Sequence, residues 1–171
     1  MSHYYYPYGL PIQDKMDRNM SPSKAKFNIP YSPLLGDQSQ PQLIKNVHKA
    51  IVDEATAANF YARLLKEAPD ELNREFVQHA YEDELEHLQA FIQLYIHLTG
   101  RQPEYQMKQI QYSHYKEGIL KALKDELEAV EFYRDVKLST CDPLVQDTFF
   151  FAMVDELEHG TQFGVLLNRV C

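Results

Sequence analysis

Tryptophan is absent from the 171-residue chain, cysteine occurs twice, glycine six times, and no run of 18 apolar residues is found. Cys141 and Cys171 are too few and too far apart for a disulfide framework, a CxxC redox pair or a four-thiolate iron site, and read as spare thiols. Without a long apolar run a membrane-spanning helix is excluded, and no membrane partner is expected. The first twenty residues lack the basic start and continuous apolar stretch of a secretory signal, so a cytoplasmic location is expected. Positive charge is also scarce. The 17 Lys and Arg against 25 Asp and Glu give a net charge of −8, which argues against releasing counterions from nucleic acid, and no nucleic-acid partner is expected.

What remains is the composition of a globular domain, 44% hydrophobic and 25% charged. Its length suffices to bury about two thirds of the unfolded surface, so metal or disulfide staples are not needed merely to fold. Residues 1–40 hold Pro7, Pro11, Pro22, Pro30 and Pro33 and five of the twelve tyrosines, without helical or alternating period, and read as an extended N-terminal segment. From Pro41 on, apolar residues recur at three and four spacing. Four helices are expected in residues 41–171. The first covers about 41–67 and stops at Pro69; the second is capped by Asp70 and closes at Gly100. The third is expected to be capped by Ser113 and to reach about Leu138, and Asp142 with Pro143 opens the fourth.

A shift of 72 residues carries Asp53, Glu54, Phe60, Tyr61 and Asp70 onto Asp125, Glu126, Phe132, Tyr133 and Asp142, and the run Asp83 to His87 onto Asp155 to His159. The chain is therefore two copies of a helical hairpin. One hairpin cannot bury its own apolar stripe, so two must pack together. A linker of about a dozen residues can span one bundle length, giving an all-α four-helix bundle with a long crossover.

Glu54 and Glu84 stand 15 residues either side of Pro69, hence at one height, about 22 Å from the turn. Glu126 and Glu156 are placed alike about Cys141. Glu84 with His87 and Glu156 with His159 are i, i+3 pairs that share a helix face, in register with the apolar stripes. Four carboxylates in an apolar interior would cost several kcal/mol per ion uncompensated. Two divalent cations bring the cluster to neutrality, so a dinuclear metal site is expected at Glu54, Glu84, His87, Glu126, Glu156 and His159. Tyr61 and Tyr133 lie two turns beyond Glu54 and Glu126 on the same face, and two readings are open: core packing, or approach to the metals. Glu86 and Glu158 point away and are excluded as ligands, and His3, His48, His79, His97 and His114 have no repeat partner and read as surface or locally bonded.

One glutamate from each of two helices with a Glu-x-x-His from each of the others resembles the ferritin-like di-iron and di-manganese carboxylate proteins, most closely the ferritin-like domain of rubrerythrins, over about residues 41–167. The resemblance implies two iron ions per chain, with manganese as the alternative. Glu54 and Glu126 would then be terminal carboxylates, Glu84 and Glu156 bridging, and His87 and His159 one nitrogen ligand per metal. Asp83 and Asp155 resemble carboxylates that accept the far ring N–H of a ligand histidine; the other reading is a solvated acidic flank. A tyrosine at position 61 or 133 would hydrogen-bond a ligand or be oxidised at the iron centre.

The implied activity is that of an oxidoreductase reacting with hydrogen peroxide or oxygen, a peroxidase or ferroxidase in oxidative-stress protection. The rivals are a dimanganese catalase-like enzyme and a metal-stabilised structural, coat-type protein. Rubrerythrins usually add a rubredoxin-like module with two CxxC pairs, so here a separate electron donor is expected. The neighbours of Glu126 one turn away are Ala122, Leu123, Ala129 and Val130, so the extra carboxylate usual in rubrerythrins is missing and a symmetric six-ligand site like that of bacterioferritins is left. Few residues follow Leu167 where cage-forming ferritins carry a fifth helix, so a storage cage is not expected, whereas a homodimer is. The segment with Tyr4, Tyr5, Tyr6, Pro7 and Tyr8 resembles cross-linkable segments of bacterial coats, including spore coats; the alternative is a segment that is disordered or folded along the bundle.

Overall fold

Each helix boundary follows from a local chemical cause. The computed structural model describes residues 39–169, in four helices: α1 (Gln40–Glu67), α2 (Glu71–Thr99), α3 (Tyr115–Leu138) and α4 (Pro143–Arg169). Pro41 sits in the first turn of α1, where a missing N–H does no harm. At the other end, the ring of Pro69 disfavours helical backbone at Ala68, and the helix stops. The Asp70 carboxylate accepts the Asn73 N–H at 2.9 Å and opens α2. Gly100, at φ 69°, takes the left-handed conformation that closes it and donates its N–H to Ile96 O. Asp142 Oδ1 accepts the N–H groups of Leu144 and Val145 and starts α4.

The cap of α3 differs from the expected Ser113. His114 takes that position, its Nδ1 accepting the Glu117 N–H at 3.2 Å, while Glu117 reaches back to accept the Ser113 N–H at 2.8 Å. This is a reciprocal capping arrangement with imidazole in place of the usual hydroxyl, which a search for Ser, Thr, Asp or Asn misplaces by one residue. The N-terminal segment, with His3 and its tyrosines, lies outside the described residues through position 38, as does Cys171; Cys141 is an exposed free thiol.

α1 packs most extensively on α2, and α3 on α4, so the two hairpins are structural units; across them α2 meets α4 more closely than α1 meets α3. The crossover climbs α1 from its first turns to its last. His48 Nε2 donates to Glu104 O, Lys108 N–H to Thr56 Oγ1, Arg63 Nη2 to Ile110 O, and Tyr112 Oη to Glu67 Oε1. The start of α3 is thereby set beside the end of α1, antiparallel to it. Gly118 permits this closeness, since a Cβ there would lie 2.5 Å from Leu64 Cδ2.

The core falls into two apolar clusters. One gathers Leu43, Val47, Ile51, Phe91, Tyr133 and Phe149 with their neighbours; the other gathers Phe60, Tyr61, Leu64, Val77, Ile119 and Phe163 with theirs. Apart from Asn73 in the first turn of α2, the buried polar residues of every helix fall between these clusters in sequence, which leaves one polar layer across the waist of the bundle. Tyr81 and Met153, three residues before Glu84 and Glu156, are half-buried.

Candidate metal centre

The polar layer contains Glu54 from α1, Glu84 and His87 from α2, Glu126 from α3, and Glu156 and His159 from α4. The four glutamates are at most 2% exposed, His159 is 0% and His87 7% exposed. Ligating atoms of Glu54, Glu84, His87 and Glu156 lie within 4.8 Å of one another, and so do those of Glu84, Glu126, Glu156 and His159. The quartets overlap in Glu84 and Glu156 alone. Each has one further carboxylate and one imidazole, so the arrangement offers two adjoining cation positions joined by two shared side chains.

Both histidines are oriented from behind by the opposite hairpin. His87 Nε2 lies 3.0 Å from Asp155 Oδ2, and His159 Nε2 lies 3.0 Å from Asp83 Oδ2. A carboxylate can only accept, so each Nε2 carries the proton and each Nδ1 is left facing the layer. There His159 Nδ1 is 3.1 Å from Glu156, and His87 Nδ1 is 3.4 Å from Glu156 and 3.8 Å from Glu54. The terminal glutamates are held across the bundle in a matching pair: Tyr61 Oη donates to Glu126 Oε1 at 2.6 Å, and Tyr133 Oη donates to Glu54 Oε1. Both tyrosines therefore pack in the core and touch the polar layer, so the two readings of these positions merge.

The electrostatics are those of a site built for positive charge. Burial, with the charges of Glu156 and Glu54, pushes Glu84 well above the carboxylate range. Burial and Glu156 push Glu126 up, and burial and Glu54 push Glu156 up. Glu54 is the exception: burial opposes its charge, but the adjoining Glu84 and His87 side chains, the His87 charge and the Tyr133 hydroxyl hold it low. Burial disfavours the His87 cation too, yet the neighbouring carboxylates of Glu156 and Glu54 raise it to about 11. Burial and the facing glutamates likewise push Tyr61 and Tyr133 well above the phenol range, keeping both as donors. Glu84 Oε1 and His87 Nδ1 are buried without a hydrogen-bond partner. Two orphaned ligating atoms in a dry interior fit a pair of metal ions, which would accept both lone pairs and replace the protons this crowding otherwise demands.

A cavity of about 440 Å³ opens onto the layer between α1 and α3, beneath the crossover. Glu54, Glu84, Glu126 and Glu156 line it, with Asp53, Asp125 and Lys108 farther out, whereas neither histidine does. This cavity therefore reaches the layer from its carboxylate side, while a smaller one of about 230 Å³ reaches His87 from between α2 and α4.

His79, expected to be at the surface or locally bonded, is both partly exposed and bonded beside the polar layer. Its Nε2 lies 3.3 Å from Asp83 Oδ2, its Nδ1 3.0 Å from Gln162 Nε2, and its ring packs edge-on against His159 at 5.7 Å between centroids. His79, Asp83 and His159 are spaced closely enough to suggest a further cation group, but the 3.0 Å His159 to Asp83 hydrogen bond fills that geometry, and His79 stands 3.3 Å from the same Asp83 oxygen, so the three line up from the layer to the surface. The His79 to Asp83 spacing of i, i+4 is legible in the sequence; the repeat hides its meaning, because the equivalent of His79 is Phe151. His48 and His114 serve the crossover and the α3 cap, and Glu86 and Glu158 are exposed, as expected.

No family model matches the chain. It is similar to the uncharacterized protein YhjR of Bacillus subtilis (strain 168), 27% identical over 163 residues that cover 95% of each chain. Among solved structures it is similar to the bacterioferritin-related protein of Bacteroides fragilis, a dodecameric thioferritin, at 15% identity and a TM-score of 0.69 over 78% of this chain and 89% of that one. It is also similar to a structure of ferritin-like, diiron-carboxylate proteins from Bacillus anthracis str. Ames, at 17% identity and a TM-score of 0.65 over 75% of this chain and 96% of that one. With the helix order and long crossover, these likenesses show that the chain has the ferritin-like fold. No helix among the described residues is long and apolar enough to cross a membrane.

Proposed function

We propose that this bundle is a di-iron carboxylate oxidoreductase that reacts with hydrogen peroxide or oxygen and draws electrons from a separate donor. The observation that carries this reading is the pair of overlapping quartets joined through Glu84 and Glu156; the diiron-carboxylate description of the Bacillus anthracis neighbour supports it. In this reading Glu84 and Glu156 would be common to both ions, with Glu54 and His87 completing the set for one and Glu126 and His159 the set for the other. Two iron ions together supply the two electrons that reduction of a peroxide requires.

The chain's own residues do the rest. Tyr133 and Tyr61 each donate to one oxygen of a terminal glutamate, fixing which lone pairs remain free to ligate. Asp155 and Asp83 hold the imidazole protons at Nε2 and so present Nδ1 inward. The cavity beneath the crossover admits a small oxidant on the carboxylate side, and the two apolar clusters pack above and below the layer.

The test is stopped-flow oxidation of anaerobically reconstituted ferrous protein by peroxide. Wild type is expected to bind two iron per chain and to oxidise far faster than free ferrous ion, with both properties lost in Glu84→Ala. A wild type no faster than the free ion contradicts the reading. Protein that takes up two manganese and no iron, when offered both, moves the assignment to a dimanganese catalase-like enzyme, since one imidazole per oxygen-rich site suits either metal.

A further inference from the structure

The repeat offers an internal control that most surfaces lack: every position of α4 has an equivalent on α2 that performs the same structural task. On the inward face the two helices agree. On the outward face they do not. Gln78, His79, Glu82 and Gln93 of α2 correspond to Phe150, Phe151, Val154 and Val165 of α4, and His48 of α1 to Leu120 of α3. Phe151 is 72% exposed, and Phe150, Val154, Leu157, Val165, Leu120 and Leu127 are each between two-fifths and one-half exposed. On α4, positions 150, 154, 157 and 165 recur at helical spacing along one stripe. The α3 residues continue it: a Cβ on Gly160 would lie 3.6 Å from Leu127, and the Lys137 ammonium sits 5.4 Å from the Phe150 ring centroid. The fold does not require apolar residues at 120, 150, 151, 154 and 165, because the first hairpin makes the same fold with polar residues at those five positions, whereas Leu157 and Leu127 match Leu85 and Ala55. A contiguous apolar patch of this kind marks an interface.

We infer that the outward face of α4, with Leu120 and Leu127 of α3, binds the same face of a second copy of this chain in a two-fold dimer. Two arguments select that occupant. The first is area. With ~170 Å² for a whole large apolar side chain, these seven expose roughly 600 Å² per protomer, on the order of 1,200 Å² per pair before flanking polar groups are counted, which reaches the range of stable interfaces. The second is self-complementarity. Antiparallel pairing of α4 with its copy about a two-fold near Leu157 sets Phe150 opposite Val165 at both ends of the stripe. A large apolar side chain on each protomer thus faces an apolar one on the other, as an isologous contact requires. The inference does not depend on the identity of the bound metal or on turnover.

Sedimentation velocity of the full-length, metal-loaded chain tests it. Wild type is expected at twice the mass of the chain at micromolar concentration. The triple variant Phe150→Gln, Val154→Glu, Val165→Gln copies residues that the equivalent helix already carries, and is expected to sediment as a single chain with unchanged circular dichroism and metal content. Val154→Lys alone brings two like charges into the contact and is expected to weaken association more than about 100-fold. A wild type that remains a single chain at about 100 μM overturns the inference and leaves the face to residues 1–38 or to a different protein. Folded variants that stay dimeric overturn it equally.

Discussion

The first hairpin, α1 with α2, and the second, α3 with α4, are equivalent where they face each other and different where they face outward. Inside, Glu54, Glu84 and His87 match Glu126, Glu156 and His159, and even the supporting contacts are exchanged in pairs: Asp83 serves His159 and Asp155 serves His87, while Tyr61 serves Glu126 and Tyr133 serves Glu54. Outside, α2 carries Gln78, His79 and Glu82 where α4 carries Phe150, Phe151 and Val154. The difference separates two constraints. A layer that holds charge in a dry interior fixes both residue type and spacing, because one unmatched carboxylate there costs several kcal/mol. An outward face is fixed only by what covers it.

The largest expected effects break the inner equivalence. Glu84→Ala or Glu156→Ala removes a group common to both quartets, and metal content is expected to fall from about two ions per chain to nearly none, whereas Glu54→Ala or Glu126→Ala leaves one quartet whole and about one ion. Elemental analysis of the four variants checks this; equal losses in all four would mean that the shared and unshared carboxylates do not differ in role.

Proton linkage gives the next effect. In the metal-free bundle Glu84, Glu126 and Glu156 are raised, so the folded chain holds protons that the unfolded chain releases, and stability falls as pH rises above the ordinary carboxylate range. His87, raised from 6.5 to about 11, contributes fully below 6.5 and loses that contribution as pH climbs toward 11. Glu54, held low, acts oppositely, but only on acidification. The melting temperature of metal-free protein is therefore expected to fall between about pH 5 and 8, while that of loaded protein rises over the same interval, because protons compete with metal. Two parallel curves would contradict this.

Asp83→Asn and Asp155→Asn are each expected to weaken metal binding roughly 10- to 100-fold, and by similar factors, since they hold equivalent imidazoles. Tyr61→Phe and Tyr133→Phe are each expected to destabilise loaded protein by about 1–3 kcal/mol through the lost donor, measured by chemical denaturation. The smallest effect is expected at the position where the hairpins diverge beside the centre: His79→Phe, which copies Phe151, leaves both ions bound and lowers affinity less than Asp83→Asn, because Asp83 keeps its bond to His159.

Much of this was legible in the sequence because it was written twice. The 72-residue shift gave the hairpins, and the spacing of Glu54 and Glu84 about Pro69 gave the height of the polar layer before any coordinates. Asp70, Gly100 and Asp142 cap as their types suggest. What escaped has no repeat and no strong type preference. The His114 cap uses an imidazole where hydroxyls and carboxylates are the usual signal. The crossover attaches through backbone groups at Glu104, Lys108 and Ile110, which side-chain patterns do not encode. His79 meets Gln162 across the bundle, a contact visible only once α2 and α4 are packed.

The dinuclear centre is tested most directly by anomalous diffraction at the iron edge from crystals of reconstituted protein. Two peaks per chain are expected, roughly 3.5–4 Å apart, one beside Glu54 and His87 and the other beside Glu126 and His159, with Glu84 and Glu156 between them. A single peak, or none in that layer, would contradict a two-metal site.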